Sequence, residues 1–74
     1  MEAYVERLLN EHKELSEKIQ KLSTFIKGDI FKTLDTAEQS DMLTQYHAMC
    51  IYNMMLTRRL DRIGEKKSSE ENKE

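Results

Sequence analysis

The sequence predicts an all-α protein, an antiparallel two-helix coiled-coil hairpin that assembles with copies of itself into a homo-oligomeric helical bundle. Three observations predict it. The chain has no proline and only two glycines, Gly28 and Gly64, among 74 residues, so long stretches carry no helix breaker. Seven positions of the first half (Val5, Leu8, His12, Leu15, Ile19, Leu22, Ile26) mirror seven of the second (Ile63, Leu60, Leu56, Asn53, Met49, Tyr46, Met42), and each mirrored pair of residue numbers adds to 68. Both series step by three and four, the spacing of a heptad seam, and a constant sum is what two facing antiparallel helices produce. The third observation is that the second half holds more apolar surface than one partner helix can cover.

The helices are expected at about 3–27 and 36–63, with a short helical turn between them. In the first, Glu14 and Glu17 precede Lys18 and Lys21 by four residues, an order that supports a helix by a few tenths of a kcal/mol per pair. Gly28 is expected to stop it by taking a left-handed conformation, with Asp29 capping the turn that holds Ile30 and Phe31. For the second helix, Thr36-Ala37-Glu38-Gln39 fits a capping box, Thr36 receiving the Gln39 amide and the Gln39 side chain returning the bond, with Leu34 packed near the cap. Arg58, Arg59 and Arg62 suit the carbonyl end of this helix, and Gly64 is expected to end it. Residues 1–63 then form the hairpin. The stretch 64–74, without an apolar side chain after Gly64, reads as a flexible charged tail.

Two seam positions are polar. In the register set by the constant sum, His12 faces Leu56 and Asn53 faces Leu15 in adjacent layers, so His12 and Asn53 are expected to form a structural polar pair that fixes register at some cost in stability. The segment from Met49 to Leu56 is apolar around nearly its whole circumference, and the seam uses only Met49, Asn53 and Leu56. Ile51, Tyr52, Met54 and Met55 are therefore the expected oligomer interface.

Composition removes several classes of function. A single cysteine, Cys50, allows no internal disulfide, and no Cys/His cluster has metal spacing. A net charge of −2 gives no general attraction to double-stranded nucleic acid, and no apolar run approaches a membrane span. The first residues lack the pattern of a signal peptide, which makes a soluble cytoplasmic protein the expectation. No phosphate-binding glycine loop, paired-carboxylate site or nucleophile with a base is present, so neither enzymatic activity nor a cofactor is expected. The one charge asymmetry is Arg58, Arg59 and Arg62 with Lys66 and Lys67, set against Asp61 and Glu65. With Tyr52 or Tyr4 beside it, this cluster is the candidate ligand site, guanidinium forks holding phosphates and a ring stacking on a base.

The run Leu22, Phe25-Ile26, Phe31, Leu34, Glu38-Gln39, Met42, Gln45, Ala48-Met49, Tyr52, Leu56 and Arg59 resembles a widespread family of short tailed-phage and prophage proteins, a crAss-like phage member among them, mostly of unknown function. Tyr4-Val5-Glu6-Arg7 with Glu11 and Glu14-Leu15 fits the same pattern, so the resemblance covers roughly 4–63. It implies a phage origin and a bacterial host cell. Small phage proteins of this kind are often counter-defence proteins, which implies either sequestration of a cyclic nucleotide signal or blockade of a host defence protein. The alternative from the structural class is a coiled-coil accessory that scaffolds or regulates other phage proteins.

Overall fold

The computed structural model describes residues 3–71, with side chains described over 3–64. Three helices follow one another along the chain: α1 (Ala3–Lys27), α2 (Asp29–Thr33) and α3 (Thr36–Glu71). The molecule is an elongated rod of 60 × 16 × 16 Å, its length set by α3, whose 36 residues span roughly 54 Å at 1.5 Å each.

α1 and α3 lie side by side and run in opposite directions, Tyr4 and Leu8 sharing one end of the rod with Arg62 and Ile63. Leu8, Leu15 and Leu56 form the buried centre, and Ile19, Met49, Leu60 and Ile63 pack against it. All seven belong to the series whose numbers add to 68. The core is thin: among the described residues the buried side chains are Val5, Leu8, Leu15 and Leu56, and Leu56 alone is completely enclosed. Apolar residues of α1 keep to one face, whereas those of α3 are spread around its circumference.

The seam's two polar members do not pair with each other. His12 Nε2 lies 2.9 Å from Thr57 Oγ1, and Asn53 Nδ2 donates to Ser16 Oγ at 3.2 Å. The constant sum fixes which layers meet, but a side chain leaving the seam reaches the residue one step outside it, and Thr57 and Ser16 stand there. The Thr57 hydroxyl donates its own hydrogen to the Asn53 carbonyl at 3.1 Å, so the His12 ring nitrogen is the donor in their bond.

The corner differs from expectation in three places. Gly28 is extended (φ −84°, ψ 172°) and caps α2 without a side chain; its N–H donates to the Phe25 carbonyl at 3.0 Å. The chain leaves α1 on this tight bond and needs no left-handed residue. Asp29 is the first residue of α2, and its carboxylate makes an exposed ion pair with Lys32 at 3.6 Å instead of capping. The cap of α3 is Asp35, one residue before the expected Thr36: its Oδ1 accepts the Glu38 N–H at 2.8 Å. Aspartate is the stronger cap, and using it frees Gln39, whose Nε2 donates to the carbonyls of Leu34 at 2.9 Å and Phe31 at 3.1 Å. Gln39 thus ties the end of α2 to the start of α3, next to the half-buried Leu34.

Gly64 does not end α3. The helix passes through it to Glu71, because Gly64 keeps a negative φ and lies inside the backbone ladder. The tail expected over 64–74 therefore begins as helix, and residues 72–74 lie outside the described residues. The expected pairs Glu14–Lys18 and Glu17–Lys21 do not close to 4 Å among the described residues. Exposed pairs gain too little to immobilise two long side chains.

Candidate binding cleft

At the end of the rod where α1 begins, Tyr4, Leu8, Arg59, Arg62 and Ile63 line an open cleft of about 350 Å³. Each wall follows from helix phase. On α1, Tyr4 and Leu8 are one turn apart and share a face, Leu8 buried in the seam and Tyr4 about half exposed at its edge. On α3, Arg59, Arg62 and Ile63 are likewise three and four residues apart, Ile63 turned into the core and the two arginines outward. The cleft therefore has an aliphatic floor, one aromatic wall and two guanidinium groups, a composition suited to a small ligand with a planar part and anionic oxygens.

The expected arginine cluster is only partly gathered here. Arg59 and Arg62 line the cleft, whereas Arg58 is exposed and, one residue from Arg59, is turned by roughly 100° around the helix. Tyr52 is seven residues before Arg59, two turns or roughly 10 Å along α3, and does not line it; the ring that does is Tyr4. Lys66 and Lys67 lie outside the residues with described side chains. Leu8 and Ile63, seam residues on sequence, acquire the second task of flooring the cleft. Leu8 mirrors Leu60 and Ile63 mirrors Val5, and the position of these two neighbouring layers next to the arginines was the signal for it.

The remaining candidates sit on the outside of α3. Ile51 is 58% exposed, Met54 47%, Tyr52 46% and Met55 36%, so the helix pair leaves this apolar band uncovered. Cys50 is a half-buried free thiol, and His47 is exposed with its ring centroid 5.7 Å from that of Tyr46. Among the described residues no three His, Cys, Asp or Glu side chains gather as a metal site, and no helix is long and apolar enough to cross a membrane.

Fold and cleft together define a small all-helical protein with an open, arginine-lined cleft at one end. A family model described as Sequestin matches residues 2–62, and the chain belongs to the Sequestin family. No curated protein and no solved structure matched it.

Proposed function

We propose that this chain is a non-enzymatic counter-defence protein of phage origin, a coiled-coil hairpin working as a homo-oligomer in the cytoplasm of the bacterial host and sequestering a nucleotide immune signal. The observation that carries this reading is the cleft in which Arg59 and Arg62 stand beside Tyr4 over Leu8 and Ile63. A nucleotide offers phosphate oxygens to the two guanidinium forks and a base to the ring, and the aliphatic floor excludes water from beneath it. The family name speaks of sequestering, which fits a protein that holds a ligand and does not transform it.

Isothermal calorimetry with a panel of cyclic di- and trinucleotides and adenosine diphosphate ribose derivatives tests it. Binding of at least one is expected, and Arg59→Ala or Arg62→Ala should weaken it about tenfold or more, the cost of losing a charge-assisted hydrogen bond. No heat and no thermal shift with any of them overturns the nucleotide reading.

The exposed Ile51, Tyr52, Met54 and Met55 support a second reading, a protein that blocks a host defence protein or scaffolds other phage proteins by direct contact. In that case Arg58, Arg59 and Arg62 are dispensable for activity in infected cells, whereas a polar residue at Ile51 or Met55 abolishes it.

A further inference from the structure

One stripe of α3, exposed along its whole length, is its own mirror image. Asp41 mirrors Arg62, Thr44 mirrors Arg59, Ala48 mirrors Met55, and Ile51 mirrors Tyr52, each pair of residue numbers adding to 103. Within each half the members follow one another at steps of three and four residues, the central pair Ile51 and Tyr52 being adjacent. At roughly 100° per residue all eight fall in one sector of about 100°, a different face from the seam that meets α1, and all eight are exposed. We propose that this stripe binds the same stripe of a second copy, α3 against α3, antiparallel about a two-fold axis between Ile51 and Tyr52. The pairing rests on the self-assembly proposed above and gives it a geometry.

Three features select a second copy as the occupant. Along the stripe the chemistry is complementary under the mirror operation, as an isologous interface requires: acid meets base at both ends, the small Ala48 meets the long Met55, and apolar meets apolar at the centre. A parallel arrangement would instead lay Arg59 and Arg62 against the same arginines of the partner, at a repulsive cost. The outward side of α1 offers no alternative, because Lys13, Glu17, Gln20 and Lys21 are charged or polar there. A core with four buried side chains among the described residues also leaves a chain of this size in need of further burial. The partner's Asp41 and Thr44 then stand at the rim of each cleft beside Arg62 and Arg59, adding a carboxylate and a hydroxyl to a site that in one chain offers cationic groups and a phenol.

A charge swap tests the pairing. The wild-type protein, without ligand, should scatter light as a dimer. Asp41→Arg alone and Arg62→Asp alone each create two like-charge contacts per dimer by symmetry and should raise the dissociation constant about tenfold. Combined in one chain they should restore it to within about threefold of wild type. Circular dichroism on the same samples separates dissociation from unfolding; where assembly and folding are coupled, mass and helicity should fall together in the single variants and return together in the double. A monomeric wild type overturns the proposal, and so does a dimer indifferent to the single swaps or not rescued by the double. Because mass is read without nucleotide, these outcomes are independent of calorimetric ligand binding: a monomer that binds a nucleotide sinks only the pairing, and a rescued dimer that binds none sinks only the nucleotide reading.

Discussion

Asn53 donates to Ser16 across the helix interface at 3.2 Å, but its own Oδ1 is buried without a protein partner. The amide is half satisfied. One hydrogen bond of this kind contributes about 1 kcal/mol, and an unmet buried acceptor costs about 1–3 kcal/mol. A leucine of similar volume makes neither bond and removes the cost, while adding apolar contact in the layer of Leu15. Asn53→Leu should therefore raise the unfolding free energy in urea by about 1 kcal/mol. A loss of stability would mean that the Ser16 bond outweighs the orphaned oxygen.

At the corner the two candidate caps are separable by mutation. Asp35→Ala removes the acceptor of the Glu38 N–H and should cost about 1 kcal/mol, whereas Thr36→Ala touches no cap bond and should stay within about 0.5 kcal/mol of wild type. Gln39→Ala takes away the donor shared by the Leu34 and Phe31 carbonyls, leaving the end of α2 untied from α3. Its cost should match or exceed that of Asp35→Ala, about 1–2 kcal/mol. Chemical denaturation of the three variants checks the order, and a Thr36 effect as large as that of Asp35 would return the cap to the position first read from the sequence.

Why the seam was legible and the corner was not has a physical basis. Heptad spacing is a property of many residues at once, so one unusual member such as His12 does not hide it, and the buried trio Leu8, Leu15 and Leu56 falls where the constant sum places it. A cap is a property of one residue. Asp35-Thr36-Ala37-Glu38 and Thr36-Ala37-Glu38-Gln39 satisfy the same pattern in registers one residue apart, and the better acceptor decides. The polar contacts failed for a related reason: opposition of layers says nothing of rotation within a layer, so His12 and Asn53 bond to Thr57 and Ser16 instead of each other. At the cleft, the arginines were visible as a charge cluster, but the choice of Tyr4 over Tyr52 needed the antiparallel packing that brings the start of α1 beside Arg59 and Arg62.

Glycine was the other source of misreading, and it yields the third prediction. A glycine that ends a helix in the left-handed conformation has a positive φ, where an added Cβ is strained; one inside a helix only pays its backbone entropy. Sequence cannot tell these apart, but the backbone here can: neither glycine has a positive φ. At Gly64 a Cβ would meet nothing within 4 Å, so Gly64→Ala should stabilise α3 by about 0.5–1 kcal/mol and raise the helical signal. At Gly28 a Cβ would meet the Phe25 carbonyl oxygen at 3.4 Å, an ordinary contact. Gly28→Ala should then be neutral or gain up to about 1 kcal/mol by restricting the unfolded chain. Circular dichroism with thermal melts decides both cases. If Gly64→Ala lowered stability, the helix would stop at Gly64 in solution, and everything that depends on α3 running past Arg62 as one continuous rod would have to be redrawn.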